Sequence, residues 1–194
     1  MLIRKAITIM PNEIKNAAER KLAFRGYPKV LLDRPQMAAF VGTIAGTWGE
    51  IDETLRYIFN VVSYGQPSGN GISVTIDELT DDIYDSVAQF GLKTRLDLVG
   101  SVIAHRLSEE HHERYQNIST EIRQRARERN ELIHAQWHIC DEFPDDLIQF
   151  KHSKPFRYTP KELEDRLERA VSTRNKIWDF SIVCSSAPRV RPAR

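Results

Sequence analysis

The feature that most constrains this sequence is a long stretch of helical periodicity in its second half. Apolar side chains recur there at steps of three and four residues, which places them on one helix face turned toward a core. This stripe comprises Tyr115, Ile118, Ile122, Ala126, Arg129 and Ile133. An arginine therefore occupies one of the predicted core positions. Because a guanidinium group cannot be deprotonated there, Arg129 needs a charged partner, a phosphate or an ordered polar pocket.

Similar periodicity elsewhere predicts a mainly α-helical fold. We expect helices over residues 35–62, 79–90, 92–107 and 160–183, with Gly91 breaking or kinking the chain between the second and the third. After His134 the pattern changes from helical spacing to alternation. Residues 136–141 and 146–151 therefore predict a small β-hairpin that follows the helix carrying Arg129.

Length and charge divide the chain into three parts. A chain of 194 residues can form one domain with a substantial core. Residues 1–35 carry eight basic and three acidic side chains, a balance of about +5, and we interpret them as a basic N-terminal arm. Such an arm is either a solvated, partly disordered leader or a segment that steers RNA. Residues 36–183 are predicted to form the helical domain, and residues 184–194 a flexible tail.

Bulk composition excludes several classes of protein. The formal net charge is +1, so nucleic-acid binding would have to come from a local patch. No run of eighteen apolar residues exists, so no membrane span is expected. Two cysteines form neither a disulfide framework nor a metal cluster, which favours a cytoplasmic location.

The first predicted helix is unusually rich in glycine. Gly42, Gly46 and Gly49 each cost about 1 kcal/mol relative to alanine in a helix. A nucleotide-binding loop does not explain them, because no strand precedes them and no Gly-Lys-Ser/Thr comes after them. They are better explained by the close approach of another helix, either inside the bundle or at a dimer seam.

The stretch Arg129-Asn130-Glu131-Leu132-Ile133-His134 closes the long helix. It resembles the signature of the HEPN superfamily of small helical proteins, many of which are metal-independent ribonucleases. The resemblance covers about residues 36 to 182 as a helix bundle, and its specificity lies in this one motif. It implies a HEPN-like helical bundle with endoribonuclease activity, in stress response or phage defence, and a catalytic site assembled in a homodimer.

The residue types of the motif suit metal-independent RNA cleavage. Histidine transfers protons near neutral pH, so His134 is the expected general base or acid. Arginine offers a fixed fork of donors to phosphate oxygens, a role that we assign to Arg129 with Asn130 in support. Arg125 lies four residues before Arg129 and is the expected second phosphate contact. His134 lies about 140° round the helix from Arg129, so the two meet only if the helix loosens, the arginine reaches across, or a second subunit contributes.

The expected partners are RNA, a second copy of the chain, and a regulatory protein such as an antitoxin. Gln136 stands where one toxin branch of the family carries a tyrosine, which weakens the expectation of that branch's antitoxin arrangement. No cofactor or metal is expected, because His134 and His138 form a bare pair without an evident third ligand. Two alternatives stay open: Arg129 as an ordinary cation that caps the helix, and a non-catalytic module that binds RNA, nucleotide or protein.

Overall fold

The computed structural model describes residues 11–64 and 78–190. The chain forms two compact units. The first contains Met1–Ala45 and Arg129–Glu168, and the second contains Gly46–Glu128 and Arg169–Arg194. Parts of the predicted arm and tail, residues 1–10 and 191–194, lie outside the described residues.

Helices account for most of the described chain, which confirms the prediction of a mainly helical fold. They are α1 (Pro35–Tyr64), α2 (Glu78–Ala88), α3 (Leu92–Arg106), α4 (Glu109–Ile133) and α5 (Pro160–Ser186). Gly91 has a φ of 91°, a conformation that side-chain-bearing residues rarely adopt, and it separates α2 from α3 as predicted. None of these described helices is long and apolar enough to cross a membrane.

The described residues also form an antiparallel sheet of five strands. They are β1 (Asn12–Glu13), β2 (Phe24–Arg25), β3 (Trp137–Cys140), β4 (Phe143–Lys151) and β5 (Lys154–Tyr158). Their order across the sheet is β1-β5-β4-β3-β2. All five belong to the first unit.

The predicted hairpin is present as β3 and β4, but the sheet is larger than a hairpin. Residues 154–158 add a third strand, with Leu147 paired to Tyr158. Two short strands from the basic N-terminal segment then cover the two edges, through Asn12 with Arg157 and Phe24 with Cys140. A two-residue strand has no periodicity to detect in a sequence, which is why these edges were not predicted. They satisfy backbone groups that an open edge would expose.

Each unit has its own apolar core. In the first unit the sheet packs with the beginnings of α1 and α5 and the end of α4, and its buried residues include Met37, Ile44, Leu132, Trp137, Leu147, Tyr158 and Leu163. In the second unit the middle parts of the helices pack together, through residues that include Leu55, Ile58, Leu96, Ile103, Tyr115, Ile122 and Phe180. The end of α4 therefore belongs to the unit that contains the sheet.

The buried face of α4 differs from the predicted stripe at its end. Tyr115, Ile118 and Ile122 are buried as predicted, whereas Ile133 is 36% exposed and its neighbour Leu132 is buried. Leu132 is buried in the core of the first unit, because Trp137 and Leu147 pack in the same cluster. Sequence periodicity alone could not place this change of face, since both residues are apolar.

The glycines of α1 face open space. A Cβ added at Gly42, Gly46 or Gly49 meets no atom within 4 Å among the described residues. Close helix packing inside the described chain therefore does not explain them. The other explanation offered by the sequence, a dimer seam, stays a prediction.

Candidate functional site

The motif residues lie at the C-terminal end of α4. The helix ends at Ile133, and the backbone N–H of His134 still donates to the carbonyl of Asn130 at 3.1 Å. His134 is thus the first residue beyond the helix. Its side chain is exposed and forms no hydrogen bond within the described residues. An exposed imidazole at a helix end is accessible to a substrate from solvent.

Arg129 is half-buried and has no carboxylate partner among the described residues. Its Nη1 donates to Oδ1 of Asn130 at 2.9 Å. Its Nε is buried and has no hydrogen-bond partner in the described chain. Asn130 therefore holds one arm of the guanidinium group in position, while the positive charge is left without a counter-ion. Without a counter-ion among the described residues, this guanidinium group can take an anion as its partner.

Both glutamates beside Arg129 on the helix are engaged by other cations. In the second unit, Glu128 accepts from Nη1 of Arg125 at 2.7 Å. In the first unit, Glu131 accepts from Nη1 of Arg166 at 2.7 Å and also pairs with Lys151. Neither carboxylate is free to neutralise Arg129.

Arg125 lies in a different environment from Arg129. It is 7% exposed and forms its ion pair with Glu128 within the second unit. Burial lowers the pKa of Arg125 below its usual value, although Glu128 opposes the shift. A phosphate contact by this side chain would require it to leave Glu128. The substrate-binding role assigned to Arg125 stays a prediction.

Hydrogen bonds thus connect only some of the three predicted catalytic residues. A side-chain hydrogen bond joins Arg129 to Asn130, and a backbone hydrogen bond joins Asn130 to His134. Within the described residues, no hydrogen bond joins the imidazole of His134 to either of the other two side chains. This agrees with the angle of about 140° between positions 129 and 134 on a helix.

A buried charge network supports the end of α4, and the sequence did not reveal it. Arg166 of α5 is 4% exposed, and it bonds both Glu131 and Glu162, the latter through Nη2 at 3.2 Å. The guanidinium group of Arg166 also lies over the ring of Tyr158, 5.2 Å from its centroid. Lys151 of β4 completes the network by pairing with Glu131. Three elements of the first unit, α4, α5 and β4, are thus tied at the motif.

The two carboxylates of this network differ in their protonation. Burial raises the pKa of Glu162 to about 7, because its single contact with Arg166 does not compensate for the loss of water. Burial also pushes the pKa of Glu131 upward, but hydrogen bonds from Lys151 and Arg166 outweigh it and hold that pKa below its usual value. Glu131 therefore stays ionised near neutral pH, while Glu162 titrates there.

A cavity of about 620 Å³ opens beside the motif, entirely within the first unit. Its wall consists of residues 26–28 with Val30 and Leu31, of Val41 in α1, and of residues 132–138 without His134. The ring of His138 packs against Gly26, where an added Cβ would lie 2.5 Å from Cδ2. The absence of a side chain at Gly26 therefore allows this wall to close.

No metal centre is evident in the described part of the chain. No group of three or more His, Cys, Asp or Glu side chains there is arranged to hold a metal ion. His138 instead donates from Nδ1 to the carbonyl of Gln136 at 3.2 Å and stacks edge-on against Phe150.

Comparison of this chain with models of protein families, with curated proteins and with solved structures finds no match. The resemblance to the HEPN superfamily therefore rests on the motif and on the helical context of the motif. Any activity must be inferred from the geometry and the charges of the site itself.

The charge network predicts a specific dependence of stability on pH. The pKa of Glu162 is higher in the folded chain than in the unfolded chain, so the folded state holds more protons between these two pKa values. The stability contributed by this group is complete below the unfolded pKa and is lost as the pH rises toward 7. As the pH rises from about 5 to about 8, this group should lower the free energy of unfolding of the wild type by an amount on the order of 1–3 kcal/mol. We expect this decline to be absent in Glu162→Gln.

Chemical denaturation of both proteins across this pH range measures the effect. Glu168→Gln, at an exposed position on the same helix, is the matched control and should keep the slope of the wild type. Equal slopes for the wild type and Glu162→Gln would show that Glu162 does not titrate in this range.

Proposed function

We propose that this protein is a metal-independent endoribonuclease whose site contains Arg129, Asn130 and His134. One observation carries the proposal: Arg129 is a half-buried arginine without a counter-ion among the described residues, held by Asn130 at 2.9 Å. The two neighbouring glutamates, Glu128 and Glu131, form ion pairs with other arginines. A cation held in this way, five residues before an exposed histidine, is suited to an anionic substrate, and the phosphodiester of RNA fits both groups.

Each residue has a distinct role in the proposed reaction. His134 takes a proton from the 2′-hydroxyl group or gives one to the leaving 5′-oxygen. Arg129 donates to the non-bridging phosphate oxygens, on which negative charge increases in the transition state. Asn130 acts as a positioning residue, since its side-chain oxygen Oδ1 accepts from Nη1 of Arg129. The attack of the 2′-oxygen on phosphorus breaks the bond to the 5′-oxygen and leaves a 2′,3′-cyclic phosphate.

The proposed reaction needs two proton-transfer groups, and each motif provides one histidine. A symmetric dimer that brings two motifs to one cleft would provide the second. The open glycines of α1 support self-association, because no described part of the chain packs on them. We therefore propose a homodimer as the active form.

A second function, a non-catalytic interaction module, is favoured by a different observation. A groove of about 630 Å³ in the second unit is lined by Gly46, Gly49, Tyr57 and Trp178, among other residues. Trp178 is 54% exposed. An exposed tryptophan beside an apolar groove is typical of a surface that binds another protein. An interaction module would keep this surface and cleave no RNA.

Loss of cleavage in two variants tests the nuclease proposal. We expect the wild type to cleave single-stranded RNA in excess chelator, and Arg129→Ala and His134→Ala each to reduce the rate by about 10²-fold or more, the usual effect of removing a transition-state donor or a proton-transfer group. Rates are measured on a labelled RNA pool resolved by electrophoresis.

Two exposed positions provide controls for these variants. Arg127→Ala removes a neighbouring arginine of α4, and His105→Ala removes an exposed histidine of α3. Both should cleave at the wild-type rate. If the wild type cuts nothing, or if all four variants cut equally well, the catalytic role of the motif is refuted and the interaction module is favoured.

The dimer proposal makes a separate prediction about concentration. We expect the cleavage rate per chain to fall on dilution, over the range in which sedimentation velocity shows the dimer dissociating. The reason is that a monomer has only one of the two motif histidines that the proposed reaction needs. A constant rate per chain across that range, or full activity from a protein that is monomeric throughout, would contradict a shared site.

A further inference from the structure

We propose that the cavity beside the end of α4 is a base-binding subsite that accepts one unstacked nucleobase of single-stranded RNA. This inference rests on the proposed function, since it assigns the substrate's base to a place next to the proposed phosphate site. The cavity lies within the first unit and is formed by three segments that are distant in the sequence.

The position of the cavity relative to the motif supports this assignment. Ile133 and Ala135, the neighbours of His134 on both sides, line the cavity, while His134 itself does not. The exposed imidazole of His134 therefore lies outside a cavity whose wall contains both residues next to it. A bound nucleotide could place its base in the cavity and its phosphate outside, because one sugar joins the two.

The size and the lining of the cavity suit a flat aromatic ligand. A volume of about 620 Å³ falls in the usual range of small-molecule sites, about 300–1,000 Å³. The lining includes Tyr27, Trp137 and His138 together with aliphatic side chains. Proteins that recognise unpaired RNA bases stack them on tyrosine, tryptophan or histidine rings. Tyr27 lines the cavity and is 40% exposed.

Gln136 provides a group that can read a base edge. It lines the cavity, it is exposed, and its side chain forms no hydrogen bond within the described residues. A primary amide offers both donors and an acceptor, which is the pattern needed to pair with the polar edge of a nucleobase. The backbone carbonyl of Gln136 accepts from Nδ1 of His138 at 3.2 Å, which orients the ring of His138 in the same wall.

The charges around the cavity favour a nucleotide over a cationic ligand. No aspartate or glutamate belongs to the described lining of the cavity. Lys29 lies between the lining residues Pro28 and Val30, is exposed, and forms no ion pair among the described residues. A lysine at this place can contact a phosphate of the same strand.

Binding of the four ribonucleoside 5′-monophosphates tests the subsite without cleavage, because these probes contain no phosphodiester bond. We expect isothermal titration to show binding of at least one of them to the full-length wild type. Ala135→Phe, which fills the cavity, should weaken that binding about tenfold or more, and Gln136→Ala should reduce the preference among the four bases. Ribose 5-phosphate, which lacks a base, should bind equally to the wild type and both variants.

The matched control is Ala39→Phe, which places the same ring on α1, at a position outside the cavity lining. It should bind the monophosphates like the wild type, and thermal unfolding should show that every variant is folded. Should Ala135→Phe not fold, the base preference of Gln136→Ala decides alone. Absence of binding to the wild type, or binding unchanged in Ala135→Phe and Gln136→Ala, would overturn the subsite.

This experiment separates the subsite from the nuclease. If monophosphates bind in the cavity but the wild type cleaves no RNA, the subsite stands and the nuclease proposal fails. If the wild type cleaves RNA and no monophosphate binds, the nuclease stands and the subsite is overturned.

Discussion

The arrangement of the first unit depends on one buried cation, Arg166. Its guanidinium group lies between Glu131 at the end of α4 and Glu162 at the start of α5, and Lys151 of β4 reaches the same Glu131. Taking these charges out of water is expensive, and a charge left buried after its partners are removed costs about 3–5 kcal/mol. The network thereby fixes the end of α4 against the sheet.

The same network engages Glu131, one of the two glutamates that lie near Arg129 in the sequence. Glu131 is two residues from Arg129 and would be a natural counter-ion for it. Because Arg166 and Lys151 already occupy Glu131, and Arg125 occupies Glu128, the charge of Arg129 is left uncompensated among the described residues. Asn130 then orients Arg129 without neutralising it. A neutral partner of this kind holds the cation in place and leaves its charge for an anion.

Local sequence patterns predicted the helices and the hairpin, because both depend on the spacing of apolar side chains. The third strand follows β4 directly and was not predicted because Lys154–Tyr158 is short and contains Pro155, a residue that is rare in strands. The two edge strands were not predicted, since pairs such as Phe24 with Cys140 join segments more than a hundred residues apart. The burial of Leu132 instead of Ile133 was not predicted either. Which of two adjacent apolar residues is buried depends on Trp137 and Leu147, which pack in the same cluster.

For the site, the sequence could identify the residue types but not their surroundings. The motif showed an arginine, an asparagine and a histidine at fixed spacing, and the structure adds that Arg129 lacks a counter-ion among the described residues. Glu162 and Arg166 are four residues apart on a helix, a spacing that usually marks an exposed pair. Only the fold shows that this pair is buried and bonded to Glu131. The cavity beside the motif could not be predicted, because residues near 26, 41 and 135 meet only in the folded chain.

We propose that the guanidinium group of Arg129, which lacks a counter-ion among the described residues, binds a phosphate of RNA. NMR of the arginine Nε–H resonances tests it most directly, during titration with a short RNA in which 2′-O-methyl groups prevent cleavage. The Arg129 resonance, assigned by its loss in Arg129→Lys, should shift on binding, while that of Arg166, whose Nε is also buried, should stay in place. An Arg129 resonance that does not move while the RNA binds would contradict the account.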